Sequence, residues 1–270
     1  MYLSRHQTAA GPHWALEGRY VPAEFTLERL LELPTAGVRG FLEDLGSEGP
    51  AEDPLLPPIE PPHEVWASGV TYLRSREARE VESTDADAYE RVYDAERPEL
   101  FFKSLGWRVV GHRDRVRVRE DSHWNVPEPE LVLVVNSGME VVGYTAGNDV
   151  SSRDIEGENP LYLPQAKVYD GSCSLGPGIV LSSPDSMREL RITMSIRRGG
   201  ETIFEDEIET SQMKRSPEEL AVYLGRELAF PGGAFLMTGT GIVPEDDFTL
   251  KPGDLVGISV GDLVLENEVS

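Results

Sequence analysis

The segment Trp124-Asn125-Val126-Pro127-Glu128-Pro129-Glu130-Leu131 runs into a continuously apolar stretch, Leu131–Val135, that reads as a buried strand. In extended chain, residues two apart point to one face. Glu128 and Glu130 therefore present two carboxylates side by side, with Pro129 stiffening the link. Like charges held that close are unfavourable unless a cation neutralises them. The plainer reading is an exposed edge strand whose glutamates are solvated. A third acid, Asp149, lies in Gly147-Asn148-Asp149-Val150-Ser151-Ser152-Arg153-Asp154, after a second predicted strand, Val141–Ala146. Two glutamates and an aspartate, with no His or Cys nearby, make a hard-oxygen set suited to Mg²⁺ or Mn²⁺, with Ca²⁺ as a further substitute, rather than to zinc. An ion so held keeps positions open for a bidentate ligand such as a 2-oxo acid. Lys167 sits in Leu163-Pro164-Gln165-Ala166-Lys167-Val168-Tyr169-Asp170-Gly171 and is one of only four lysines among 25 basic residues. It is either a surface lysine laying its stem along apolar neighbours or an ammonium placed beside an enolate.

The elements that must position these groups are mostly strands. Trp107–Val110 and Arg115–Arg119 read as short β-type runs. Leu190–Ile196 alternates and turns through Gly199-Gly200 into Thr202–Ile208, a hairpin, and Val256–Val260 turns through Gly261-Asp262 into Leu263–Leu265. One helix is announced by Ser216-Pro217-Glu218-Glu219, which offers an N-cap, a first-turn proline and a capping-box glutamate ahead of Leu220–Leu228. Residues 26–46 carry helical apolar spacing around a break at Pro34. A proline-rich run, Pro54 to Pro62, follows as an extended connector. The expected division is a small N-terminal domain with its connector over 1–62 and a catalytic domain over 63–270. Hairpins with few helices predict a mainly antiparallel β architecture rather than a doubly wound sheet.

Composition bounds the partners. Against 48 acids stand 25 Lys and Arg, a formal charge of −23 on 270 residues, which argues against nucleic acid and against an anionic membrane surface. Most of that charge reads as a hydrated, salt-adapted surface. The single cysteine, Cys173, excludes an intrachain disulfide and reads as a small buried hydrophobe. No signal-peptide core and no apolar run of about 18 residues is present, so a cytoplasmic protein is expected.

These residues also carry a resemblance. Gly69-Val70-Thr71-Tyr72, Pro98-Glu99-Leu100-Phe101-Phe102-Lys103, Pro127–Leu131, Gly147–Asp149, Ala166–Asp170, Thr238-Gly239-Thr240-Gly241 and the closing Leu250–Asn267 resemble the fumarylacetoacetate hydrolase superfamily, in unbroken order over about 63–270. The resemblance implies an α+β, mainly β fold, the superfamily's mixed β-roll beside the small N-terminal domain. It makes Glu128, Glu130 and Asp149 the Mg²⁺ site and Lys167 the active-site lysine. Hydrolytic members carry Gly-x-Asn-Tyr-x-x-His-x-x-Glu, whose His/Glu pair activates water. Aligned on Gly69 and Tyr72, those two positions are Ser75 and Ala78, and His63 or His123 can replace the base only through folding. Losing such a base typically costs roughly 10²–10⁴-fold, which disfavours hydrolysis.

Glu99 ahead of the Phe-Phe-Lys run, Gly-Val-Thr-Tyr, and Glu158-Asn159-Pro160-Leu161-Tyr162-Leu163-Pro164-Gln165 look like the dehydratase branch acting on 2-keto-3-deoxy-pentonates, derived from D-arabinonate or D-xylonate. That resemblance implies enolisation at C3, loss of the C4 hydroxyl and tautomerisation to 2,5-dioxopentanoate, with Glu99 and Lys167 as the proton-transfer pair. Thr240 either binds the substrate carboxylate or bonds its own turn. Gln165, Phe102 and Ser75 are candidate pocket residues, and Arg74, Arg76 and Arg79 could steer an anion. Residues 73–96, including Asp85–Tyr89, form either a lid or a surface helix. Other chemistries on this scaffold are acylpyruvate or fumarylpyruvate hydrolysis, 2-oxo acid decarboxylation and dienoate isomerisation. A metal-stabilised binding protein without catalysis is the more distant alternative. The expected partner is a small-molecule sugar acid, and the expected assembly is a homodimer or homotetramer.

Overall fold

In the computed structural model, which describes residues 1–82 and 91–270, the chain begins with an antiparallel ribbon, β1 (Tyr2–Thr8), β2 (Gly11–Leu16) and β3 (Arg19–Tyr20). The apolar spacing over 26–46 resolves into two short helices, α1 (Leu27–Leu31) and α2 (Thr35–Glu43). Pro34 separates them because a proline ring disfavours helical backbone in the residue before it, and Pro34 itself forms the extended N-cap of α2. Thr26 caps α1, its Oγ1 accepting from Arg29 N at 3.3 Å. Inside the proline-rich run, β4 (Leu55–Leu56) pairs with β1.

The remaining elements are β5 (Glu64–Gly69), α3 (Leu73–Glu82), β6 (Glu99–Leu105), β7 (Arg115–Val116), β8 (Asn125–Val126), β9 (Pro129–Val135) and β10 (Val141–Asp149). After them come β11 (Ser151–Ser152), α4 (Arg153–Glu158), α5 (Leu163–Lys167), β12 (Cys173–Leu181), β13 (Arg191–Arg198), β14 (Glu201–Glu209), α6 (Pro217–Leu224), β15 (Ala234–Met237), β16 (Leu255–Val260) and β17 (Leu263–Val269). One ten-stranded sheet runs β3-β2-β1-β12-β10-β9-β15-β5-β6, with β4 beside β1. A five-stranded sheet runs β14-β13-β16-β17-β7, and β8 pairs with β11. Pairings are antiparallel except β15 with β5 and β17 with β7. The hairpin expectation and the mainly β class hold.

The continuously apolar run is a buried strand because β9 has a core on each face. Leu131, Leu133 and Val135 face the five-stranded sheet, among Ile192, Met194, Ile258 and Val260. Val132 and Val134 face the other way, in one cluster with Leu27, Leu30, Leu31 and Leu42 of the two N-terminal helices. A strand covered on both faces has no polar side to alternate with. Cys173 lies in that second cluster, and burial pushes its thiol up to about 12.

Three local expectations are corrected. Trp107–Val110 is not a strand: Gly106–Arg108 form a single 3₁₀ turn, and Trp107 is exposed. The chain turns at Gly106, which approaches the Glu60 carbonyl so closely that a Cβ would stand 2.0 Å from its oxygen. The helix capped by Ser216 stops at Leu224, before Gly225, instead of continuing to Leu228. Its Glu219 amide donates to Ser216 Oγ at 3.1 Å, but the Glu219 carboxylate accepts from Arg215 at 2.6 Å instead of returning to the cap. Among the described residues no helix is long and apolar enough to cross a membrane.

Because Leu133 is wholly buried at the sheet interface, Leu133→Ala is expected to lower unfolding stability by about 2–5 kcal/mol. Urea titration followed by circular dichroism measures it, and a loss near zero would mean β9 is not the packed centre described.

Candidate active site

Strand register assembles the acids. β9 and β10 pair with Glu130 opposite Gly147 and Pro129 opposite Asn148, which carries Asp149 to the level of Glu128. The Asp149 amide donates to the Glu128 carbonyl at 3.0 Å, and Asn148 Oδ1 accepts from the Glu128 amide at 3.2 Å. One oxygen each from Glu128, Glu130 and Asp149 lies within 4.8 Å of the others, and all three residues are buried. Glu130 Oε2 accepts from the Gly239 amide at 2.5 Å. That approach needs glycine: φ is +90° at Gly239, and a Cβ there would stand 2.2 Å from Thr71 Oγ1. Burial, followed by the charges of Asp149 and Glu128, holds the Glu130 carboxyl well above the ordinary range, against the opposing pull of Lys167 and the Gly239 amide.

Cations bind the outer side of the trio. Lys167, the last residue of α5, donates to Glu128 Oε2 at 2.5 Å, Ser151 Oγ at 2.6 Å and Asp149 Oδ2 at 3.1 Å. The surface-lysine reading is therefore set aside. Two more buried cations join that sequence reasoning did not single out. Arg153 Nη2 lies 3.0 Å from Glu128 Oε1, and Lys103 pairs with Asp149 Oδ1. Glu99 and Phe101 share one face of β6, but Lys103 is the unpaired residue of a bulge between Phe102, opposite Trp66, and Ser104, opposite Val65, so strict alternation carries no signal for it. Arg153 carries no signal either, because only the turn from β11 into α4 brings it back to Glu128.

A cavity opens beside the trio, and its lining includes Glu99, Phe101, Glu156, Ser75 and Thr240 together with Glu128, Asp149 and Lys167. Glu99 begins β6 opposite Gly69, and a Cβ on Gly69 would stand 2.0 Å from Glu99 Oε2. Val70, next on the wall, has φ +54°, a left-handed backbone that costs a β-branched residue about 1–3 kcal/mol and is held by its surroundings.

The secondary candidates divide. Ser75 and Thr240 line the cavity, with Ser75 Oγ donating to the Tyr72 carbonyl at 2.9 Å and Thr240 Oγ1 bonded at 3.2 Å to Ile242 of its own turn. Phe102 is not at the site: it faces away and packs edge-on against Trp66, and Phe101 takes the wall position, with its ring centroid 5.8 Å from Lys167 Nζ. Gln165 is exposed and outside the cavity lining. Arg76 lies over the Tyr93 ring, 5.2 Å from its centroid, and Arg74 is exposed. The Arg79 side chain and Asp85–Tyr89 lie outside the described residues. Neither His63, buried and bonded to the Gly232 carbonyl, nor the exposed His123 lines the cavity.

The donor set fits a hard divalent cation. It contains three carboxylates and no softer ligand, and the repulsion that raises Glu130 is what such an ion would neutralise.

Residues 64–270 match the model of the fumarylacetoacetate (FAA) hydrolase C-terminal family, and the chain belongs to that family. Among its relatives, a probable 2-keto-3-deoxyxylonate dehydratase of Haloferax volcanii is 52% identical over 209 residues, covering 77% of this chain and 72% of that protein. The 2-dehydro-3-deoxy-D-arabinonate dehydratase of Saccharolobus solfataricus is 46% identical over 214 residues, covering 77% and 72%. A solved 2-keto-3-deoxy-D-arabinonate dehydratase complexed with magnesium and 2,5-dioxopentanoate superposes with a TM-score of 0.84 at 36% identity, covering 100% of this chain and 99% of that one.

Glu130→Gln removes one like charge while leaving an oxygen for the Gly239 amide. In EDTA at pH 7 the variant is expected to unfold at a higher temperature than the wild type. The gain shrinks as pH falls toward 4.5, the ordinary glutamate value, where the wild-type carboxyl is also neutral. A divalent cation at 100 times its Kd adds about 2.7 kcal/mol to the wild type and far less to the variant. Differential scanning calorimetry tests both, and a variant less stable in EDTA would refute the repulsion argument.

Proposed function

We propose that this chain is a Mg²⁺-dependent hydro-lyase that dehydrates a 2-keto-3-deoxy-pentonate, derived from D-arabinonate or D-xylonate, to 2,5-dioxopentanoate. The observation that carries the reading is a cavity lined by Glu128 and Asp149 of the carboxylate trio together with Lys167 and Glu99, with no histidine among its described lining residues. Such a site has proton-transfer groups but lacks the His/Glu pair that activates water in hydrolytic members. Two relatives at 52% and 46% identity bear dehydratase names, which supports the same chemistry.

Glu128, Glu130 and Asp149 would hold the ion. Bound there, Mg²⁺ would act as a Lewis acid on the C1 carboxylate and C2 ketone of the substrate, acidifying C3. The chain's own groups then move the protons. Lys167, held beside the cavity by hydrogen bonds to Glu128, Asp149 and Ser151, would give up one of them to protonate the departing C4 hydroxyl. Glu99, across the cavity wall and held against Gly69, takes the C3 proton. The C3–H and C4–O bonds break, the C3–C4 double bond forms, and one water leaves. Tautomerisation of the resulting 5-hydroxy enone gives the aldehyde at C5. Phe101 shields Lys167 on one side, and Ser75 and Thr240 present hydroxyls to the substrate. Residues 1–62 and 63–270 as two domains, a homo-oligomeric state, a cytoplasmic location and a salt-adapted surface complete the proposal; the charge of −23 and a family match beginning at residue 64 support parts of it.

The test incubates purified protein with 2-keto-3-deoxy-pentonates and with an acylpyruvate, in Mg²⁺ or in EDTA, and identifies products by mass. Loss of one water from the pentonate only with Mg²⁺ is the expected result. Cleavage of the acylpyruvate without pentonate turnover would overturn the assignment. Glu128→Gln is expected to lower turnover at least about 100-fold.

A further inference from the structure

Lys103 is buried, yet the proposed chemistry assigns it nothing. It stands in β6 as the unpaired residue of a bulge, between Phe102 opposite Trp66 and Ser104 opposite Val65, and its side chain is completely shielded from solvent. Enclosing an ammonium costs several kcal/mol unless oxygens replace its water. Three do so. Nζ donates to the Lys167 carbonyl at 2.5 Å and to the Val150 carbonyl at 3.2 Å, and pairs with Asp149 Oδ1. The Lys167 carbonyl belongs to the last turn of α5, where carbonyls lack partners within the helix. Ser172 Oγ donates to the same oxygen at 2.8 Å. One ammonium thus joins three pieces of chain: the middle of β6, the end of β10, and the end of the helix that presents Lys167. Two of its contacts are hydrogen bonds to carbonyls, and the Asp149 Oδ1 contact is an ion pair without hydrogen-bond geometry.

We propose that Lys103 is a positioning residue: it fixes the Asp149 carboxylate relative to the Lys167 side chain, so that the ion site and the proton-transfer site keep one geometry. The inference rests on reading Glu128, Glu130 and Asp149 as a metal site. Lys103 does not line the cavity, so it acts through the two groups that do. It pairs with Asp149 Oδ1 while Lys167 pairs with Oδ2, so each oxygen of one carboxylate faces a different ammonium. Releasing the first leaves Asp149 held at Oδ2 and unties the end of α5.

The test compares wild type, K103M and K103Q. Three measurements are made: Mn²⁺ binding by calorimetry, hydrogen exchange of the amides over 163–168 in EDTA, and kcat and KM at saturating Mg²⁺. K103M is expected to weaken Mn²⁺ about 10–100-fold and to lower kcat about 10–100-fold with KM unchanged within error. In K103M the α5 amides exchange faster while β9 and β10 keep wild-type protection. K103Q, which retains a donor, falls between. Mn²⁺ affinity and α5 exchange at wild-type levels in K103M would overturn the proposal. So would faster exchange spread evenly over the chain, the mark of a side chain that only supports the fold. A wild type that takes up no Mn²⁺ removes the metal reading itself, and this inference with it. That outcome is distinguishable because it appears before any variant is made.

Discussion

Three carboxylates enclosed at the ends of two paired strands repel one another, and the surrounding structure answers that repulsion. The β9–β10 register makes it unavoidable by bringing Asp149 level with Glu128 while Glu130 faces the same way. The answer is asymmetric. Lys167 and Arg153 hold Glu128, and Lys103 and Lys167 hold Asp149. Glu130 receives the Gly239 amide and the more distant pull of Lys167, while burial followed by the charges of Asp149 and Glu128 drives its carboxyl upward. A divalent cation would relieve that repulsion. The two cores on either face of β9 give the strand ends the rigidity to keep like charges in place.

The cavity wall shows the same tension in its backbone. Gly69 leaves room for the Glu99 carboxylate, Gly239 leaves room for Thr71 while aiming its amide at Glu130, and Val70 accepts a left-handed conformation between them. These positions lie in the Gly-Val-Thr-Tyr and Thr-Gly-Thr-Gly motifs. Close backbone approach accounts for the two glycines, whereas the left-handed backbone at Val70 is strain held by its surroundings.

The trio could be read from the sequence because the i, i+2 rule needs only an extended segment, and the apolar run after Glu130 supplied one. Lys167 stood out through the rarity of lysine. Phe102 lies one residue from the wall position: strand alternation from Glu99 leads to Phe101 and sends Phe102 to Trp66. Gln165 failed for the complementary reason. Residues 163–167 are helical, and two helical positions are about 200° apart, so Gln165 points away from Lys167. Arg153 and the grip of Lys103 on Lys167 depend on contacts across the chain, for which spacing carries no signal. The Trp107 run looked like a strand by residue type, but the close approach of Gly106 to Glu60 turns the chain there.

Held by Glu128, Glu130 and Asp149, a divalent cation would acidify C3 of a bound 2-oxo acid. A substrate analogue with no leaving group isolates that step. Proton NMR of 2-oxopentanoate in D₂O with the protein follows exchange at C3 without dehydration. Exchange is expected to require Mg²⁺, to stop with EDTA and to be lost in Glu128→Gln. Exchange that persists in EDTA, or that survives Glu128→Gln at the wild-type rate, would contradict this role of the cation.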